Sequence, residues 1–239
     1  MATLFAGTSG FAYPAWKPEF YPVDVPAARF LAHYASRLNC VEINYTFRQA
    51  PRATTLETWV SATPSGFVFA LKAHQRITHM HRLKDAQEAT AFFLSSLEPL
   101  RRAGRLGPVL FQLPPNLKRD DDRLAGFLKL LPEGLRAAFE FRDASWFTDD
   151  VYELLRGHNV ALCLAESEKL VVPEVLTADF AYYRLRKPGY TAPELAALSG
   201  KARDLVEAGN DVFLVFKHEE SPTSALDAER LLRAEARAA

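Results

Sequence analysis

The feature that most constrains this chain is an alternation repeated along its length. A short apolar, β-rich run is followed by a stretch with helical spacing, and the pair recurs. Eight such runs occur, at 4–7, 40–44, 67–72, 108–113, 138–142, 160–165, 180–185 and 212–217. Helical candidates lie between them at 25–38, 84–103, 123–131, 150–156, 192–208 and 222–236. In the first of these, Phe30, Leu31, Tyr34 and Leu38 recur at helical intervals. Strands alternating with helices pair in parallel, because each helix carries the chain back to the same end of the sheet. Eight units with no low-complexity linker predict an α/β fold, a (β/α)8 TIM barrel in a single domain spanning 1–239, with a doubly wound open sheet as runner-up. Gly66, Gly107 and Gly209 stand just before strands, where a helix has ended and the chain turns.

The 239-residue length suits one barrel, and 49% hydrophobic residues suffice for a sizeable core. Lys+Arg and Asp+Glu are both 29. Zero net charge argues against a broad electrostatic footprint for nucleic acid or an anionic membrane. Cys40 and Cys163 sit in apolar runs and read as buried, reduced thiols. Residues 1–7 lack a basic segment and a long apolar one, and no run of about 18 apolar residues occurs, so the expected location is the cytoplasm.

Strand ends are the informative places, because a barrel of this kind carries its active site at the C-terminal mouth. Side chains alternate faces along a strand. If Phe139 and Phe141 face the helices, Glu140 and Arg142 face the barrel axis. The same parity turns Glu42, Asn44, Lys72 and Gln112 inward and puts Tyr182, Arg184 and Arg186 on one face. The eighth run ends in Lys217-His218, with its parity open. Buried charges need partners. Glu42 and Glu140 satisfy two cations, leaving at least one of Lys72, Arg142, Arg184 and Lys217 for an anionic ligand. Ser221 and Pro222 read as the N-cap and first position of a helix that could assist. Tyr13, Trp16, Phe20, Tyr21 and Trp146 follow strands one and five and form a candidate stacking wall. Thr8 and Ser9, between glycines, are candidate donors to an anion.

Several of these stretches together resemble the YecE-like family of uncharacterised barrels, the domain of unknown function 72. They are Gly7-Thr8-Ser9-Gly10 with Trp16 and Phe20-Tyr21-Pro22; Val41 through Phe47; Lys72 with Ile77-Thr78-His79; Gly107 through Pro115; Glu140-Phe141-Arg142 with Ser145-Trp146; and Tyr183-Arg184-Leu185 with Tyr190. The resemblance covers nearly the whole chain and implies a TIM barrel. Related-looking barrels include sugar isomerases and apurinic endonucleases of the endonuclease-four type.

The resulting expectation is an acid/base enzyme acting on a small anionic substrate, a phosphorylated sugar or nucleotide-like molecule. Glu42, Glu140 and Lys72 are the candidate catalytic groups. Asn44, Gln112, Arg142, Arg184, Lys217, His79, Trp146, Tyr13 and Trp16 are the candidate binding groups. Two alternatives stand beside it. One is a non-catalytic anion- or nucleic-acid-binding module, for which Arg101, Arg102, Arg105, Lys118 and Arg119 are the basic candidates. The other is a divalent-metal enzyme using His79, His81, His218, Glu42 and Glu140. No cofactor is expected, since nearby cations compete for both carboxylates, and no membrane partner. Oligomeric state is left open.

Overall fold

Each apolar run forms a strand: β1 Leu4–Ser9, β2 Cys40–Ile43, β3 Val68–Lys72, β4 Leu106–Gln112, β5 Ala137–Glu140, β6 Ala161–Ala165, β7 Phe180–Leu185 and β8 Asp211–Phe216. In the computed structural model, which describes residues 2–217 and 220–238, they pair in parallel in sequence order. β8 closes on β1, so the chain is a TIM barrel. The helices are α1 Phe30–Ala35, α2 Ala53–Ala62, α3 Gln87–Ser96, α4 Glu98–Arg102, α5 Asp121–Leu128, α6 Asp149–Arg156, α7 Ala192–Glu207 and α8 Thr223–Ala238. None of the described helices is long and apolar enough to cross a membrane.

Alternation divides the core in two. Val41, Ile43, Phe69, Leu71, Phe111, Phe139 and Leu214 pack outward under the helices. Phe5, Cys40, Ala70, Leu110, Ala138, Cys163, Phe180, Tyr182, Phe213 and Val215 fill the barrel. Phe5 and Phe213 stack at 4.6 Å within that interior. Small residues on β3, β5 and β6 leave room for these aromatic rings. The barrel is therefore apolar below and becomes polar only at the C-terminal ends of its strands.

Local departures from the periodicity have local causes. The stretch 84–103 is two helices, because Leu97 ends α3 and Pro99 sits in the first turn of α4, where its missing N–H costs nothing. α2 escapes the apolar pattern, since Leu56 is its one fully buried residue and Trp59 completes the contact by stacking on Phe69 at 5.3 Å. Gly107 lies inside β4 rather than before it. There the chain bulges against β3 between Phe69 and Leu71, and a Cβ on Gly107 would come within 3.1 Å of the Phe69 carbonyl oxygen. Residues 166–179 join β6 to β7 without a helix. Ser221 does not cap α8 through a backbone amide: its hydroxyl donates to Thr223 Oγ1 at 3.0 Å.

Closure depends on a close approach between β1 and β2. Tyr34 Oη accepts from the Thr8 amide at 2.8 Å and donates to the Cys40 carbonyl at 2.9 Å. Gly7 permits it, since a Cβ there would lie 1.9 Å from Cys40 O. Gly7→Ala therefore forces the strands apart and is expected to destabilise the protein by about 3 kcal/mol, read from the urea midpoint at an unchanged m-value. A loss below about 0.5 kcal/mol would mean that this approach is not a tight constraint.

Candidate functional site

Five strands deliver polar side chains to one layer at the mouth: Glu42 from β2, Lys72 from β3, Gln112 from β4, Glu140 from β5 and Arg184 from β7. Arg184 is fully buried and lies between the two carboxylates. Its Nη2 donates to Glu42 Oε1 at 2.6 Å and its Nη1 to Glu140 Oε2 at 2.5 Å. Glu42 also accepts from Asn44 Nδ2 at 2.9 Å and from Tyr182 Oη at 2.8 Å. Glu140 accepts from Gln112 Nε2 at 2.9 Å, Arg142 Nε at 3.0 Å and Arg186 Nη2 at 2.7 Å. Buried charges survive only with this density of partners.

The partners determine protonation. Burial alone would raise the Glu42 pKa. The Arg184 guanidinium, helped by hydrogen bonds from Arg184, Asn44 and Tyr182, outweighs it and holds the carboxyl below the ordinary range. Burial opposes ionisation of Glu140 too, but Arg184, Arg186, Arg142 and the Gln112 amide hold it well below that range. Both carboxylates are thus ionised and already engaged, which makes them weak general bases. That arrangement disfavours proton abstraction by Glu42 or Glu140. Arg184 commits both terminal nitrogens to protein carboxylates, and its side chain is fully buried.

Lys72 is different. Its Nζ donates to Gln112 Oε1 at 2.7 Å and lies 4.1 Å from the centroid of the Phe47 ring. Among the described residues it has no carboxylate within ion-pair distance. Partial burial, and then the charge of Arg184, push its pKa down to about 8 against the pull of Glu140 and Glu42. His79 lies on a five-residue π-helical turn, Arg76–Met80, with its ring edge-on to Phe47 at 4.8 Å. Burial, then Lys72 and Arg142, lower its pKa, so the ring is neutral near pH 7.

At the rim, Arg142 and Arg186 keep 34% and 27% of their side-chain surface exposed, against 0% for Arg184. Among the described residues, Lys72, Arg142, Arg184 and Arg186 thus gather around the carboxylates of Glu42 and Glu140. Glu166 stands behind the rim and braces a loop, accepting from the Arg186 amide at 2.6 Å and from Tyr190 Oη at 2.5 Å. Arg186 and Glu166 also line a cavity of about 710 Å³ on the outer face of β6 and β7, where the connecting helix is missing. Lys217 directly follows β8, and the alternation of Phe213 and Val215 toward the barrel would carry it to the same side. His218 lies outside the described residues.

Other sequence candidates do not join the site. Trp16, Phe20, Tyr21 and Trp146 are buried to within 1% and offer no face to a ligand. Trp16, Phe20 and Tyr21 instead bind the segment after β1 to α1, where Tyr21 stacks on Phe30 at 4.1 Å. Trp146 stacks on Phe141 at 4.7 Å and donates to the Leu117 carbonyl at 2.7 Å. Tyr13 leans on Trp16 at 4.8 Å and donates to Ser9 O at 2.8 Å. Asn44 donates to Ser9 Oγ at 2.6 Å as well as to Glu42, and so positions the carboxylate. Thr8 Oγ1 donates to the Gly10 carbonyl at 2.6 Å, a turn contact. The basic candidates for nucleic acid disperse. Arg105 is buried and donates to the carbonyls of Thr63 and Phe67, Arg101 pairs with Glu98, and Arg119 pairs with Asp121 and Asp150. For a divalent ion the donor set fits poorly. Every oxygen of Glu42 and Glu140 already accepts from a donor, and an ion there would have to displace a guanidinium or the Tyr182 hydroxyl. Alternation alone pointed to Arg186, on the face of Arg184; nothing in the pattern marked Phe47.

The family model described as "Protein of unknown function DUF72" matches residues 5–239. The chain is 32% identical over 139 residues to the UPF0759 protein YunF of Bacillus subtilis, across 56% of this chain and 49% of that protein. It is 31% identical over 136 residues to the UPF0759 protein YecE of Escherichia coli K12, across 56% and 48%. These matches span about half the length of the curated relatives. Among solved structures, a DUF72 family protein of Thermotoga maritima superposes with a TM-score of 0.85 at 25% identity, covering 98% of this chain and 99% of that one. A D-psicose 3-epimerase of Clostridium cellulolyticum superposes at 0.60 with 8% identity over 99% of each chain, a likeness of fold alone.

The buried ion pairs give a sharp expectation. Arg184→Met leaves Glu42 with neutral donors only and should cost about 3–5 kcal/mol at pH 7, read by chemical denaturation. In the wild type, both carboxyl pKa values lie below their unfolded values. Their contribution is complete above the unfolded pKa and fades as the pH falls through the folded one. In the variant the Glu42 pKa rises above its unfolded value, so the deficit should shrink on acidification and on adding Glu42→Gln. A deficit independent of pH would mean that Arg184 acts by packing alone.

Proposed function

This chain belongs to the DUF72 family, and from that premise we propose that its barrel mouth binds a small anionic metabolite and acts on it by acid/base chemistry. The substrate class is a phosphorylated sugar or a nucleotide-like molecule. The observation that carries this reading is the excess of cations over carboxylates at the mouth. Once Arg184 is committed to Glu42 and Glu140, the charges of Lys72, Arg142 and Arg186 exceed what the two carboxylates balance. The buried Nε donors of Arg184 and Arg186, without partners among the described residues, add to the argument.

The roles follow from exposure and charge. Arg142 and Arg186 each spend one nitrogen on Glu140 and present the rest of a planar guanidinium at the rim, the geometry that recognises phosphate or carboxylate. Lys72 exchanges a proton, since a pKa of about 8 places it close to neutrality. His79, neutral near pH 7, is its neighbour on the Phe47 ring. Gln112 links Lys72 to Glu140 and so ties the mobile proton to the fixed charge.

The test is thermal stability against a panel of inorganic phosphate, glucose 6-phosphate, other sugar phosphates and nucleotides. A ligand that binds only the folded protein adds about 2.7 kcal/mol at a hundred times its Kd. A phosphate-dependent rise in Tm, abolished in Arg142→Ala/Arg186→Ala and preserved in a surface control such as Arg102→Ala, is the expected result. A flat response to every anion removes the reading. Binding with no turnover of any phosphorylated compound would leave a non-catalytic anion-binding module.

A further inference from the structure

The surroundings of Lys72 match those of a lysine nucleophile better than those of a salt-bridge partner. Its amine meets one hydrogen-bond acceptor, Gln112 Oε1 at 2.7 Å, and one aromatic face, Phe47 at 4.1 Å. The charged groups acting on it are Arg184, Glu140, Glu42 and Arg142, with the neutral His79 beside it. None of the carboxylates is within ion-pair distance among the described residues, so no direct ion pair locks the group in its ammonium form. The Gln112 amide has one orientation available. Its Nε2 must donate to Glu140, which only accepts, so its Oε1 must face Lys72. The side chain is half-buried, at the mouth and within the reach of the rim arginines' field.

We propose that Lys72 forms a Schiff base with the carbonyl carbon of a phosphorylated aldehyde or ketone, its phosphate held by Arg142 and Arg186. This rests on the anion-binding reading of the mouth and names the reaction there. The neutral amine attacks the carbonyl carbon, a C–N bond forms, and the amine's proton passes to the carbonyl oxygen to give a carbinolamine. One further proton, from solvent, lets that hydroxyl leave as water as the C–O bond breaks. What remains is a protonated imine with one N–H. The iminium carries the same charge as the ammonium it replaces. The Phe47 ring and Gln112 Oε1 therefore serve it as they serve Lys72, by cation–π attraction and hydrogen-bond acceptance. A pKa of about 8 leaves roughly a tenth of the amine unprotonated at pH 7, against well under a thousandth for an ordinary lysine.

The experiment is imine trapping. Dihydroxyacetone phosphate is incubated with the full chain and sodium cyanoborohydride, and the modified lysines are located by peptide mass spectrometry. The expected result is a reduced adduct on Lys72, formed at least about tenfold faster than on any other lysine and accelerating as the pH rises through about 8. Unphosphorylated dihydroxyacetone should label it slowly, and inorganic phosphate should compete with the phosphorylated probe. Lys72→Arg and Lys72→Met should both abolish that adduct; Lys72→Met, which removes a partly buried ammonium, should leave Tm unchanged or raised. Adducts scattered over surface lysines overturn the proposal. So does trapping that survives both substitutions. If phosphate raises Tm but Lys72 is not trapped, the nucleophile fails and anion binding stands. If Lys72 is trapped with no preference for the phosphorylated probe, the nucleophile stands and the anion site fails.

Discussion

The guanidinium of Arg184 crosses the barrel from β7 and meets a carboxylate from β2 on one side and from β5 on the other. Everything polar at the mouth is arranged around that triad. A buried group of one cation and two anions is short by one positive charge, and desolvation makes such a deficit expensive. Arg142 and Arg186 supply it at the Glu140 end, while neutral donors from Asn44 and Tyr182 complete the Glu42 end. Because two arginines answer one missing charge, and Lys72 adds another, cations outnumber these two carboxylates among the described residues of the layer. The cationic character of the described mouth residues is thus a consequence of how the barrel stabilises its own carboxylates.

This separates two kinds of residue that look alike in a list of polar strand ends. Arg184, Glu42, Glu140, Asn44 and Tyr182 are spent on one another and form a fixed electrostatic floor. Lys72, His79, Arg142 and Arg186 stand on that floor with capacity remaining. Gln112 belongs to both groups, since its amide is oriented by Glu140 and in turn orients Lys72. A lysine kept near its pKa needs this balance. With the carboxylates in direct contact it would be a permanent ammonium, and with no carboxylates nearby the guanidinium groups would expel its charge altogether.

Eight apolar runs revealed the barrel because an interior strand must be apolar on both faces, a demand that leaves a strong local trace. Parity along each run placed Glu42, Lys72, Gln112, Glu140 and Arg184 on the inner face for the same reason. Helix α2 left a weaker trace, since it rests on little more than Leu56 and Trp59. The aromatic residues after β1 and β5 misled, because a tryptophan beside a strand end reads the same whether it lines a mouth or plugs a loop against a helix. Trp16 and Trp146 do the second, and their burial shows only in three dimensions.

The sequence by itself therefore determined the number of strands, their parallel pairing and which residues face the axis, since these depend on periodicities of two and about 3.6 residues along the chain. Only the tertiary structure decided who pairs with whom across the mouth. Arg184 and Glu42 are separated by 142 residues, and Arg184 and Glu140 by 44. No local pattern records that a guanidinium from one strand reaches two carboxylates while a lysine nearby reaches neither. That depends on the register and stagger of a closed sheet, which set side-chain heights to within an ångström or two. Charge–charge energies at these separations change with such distances far more steeply than any sequence preference does.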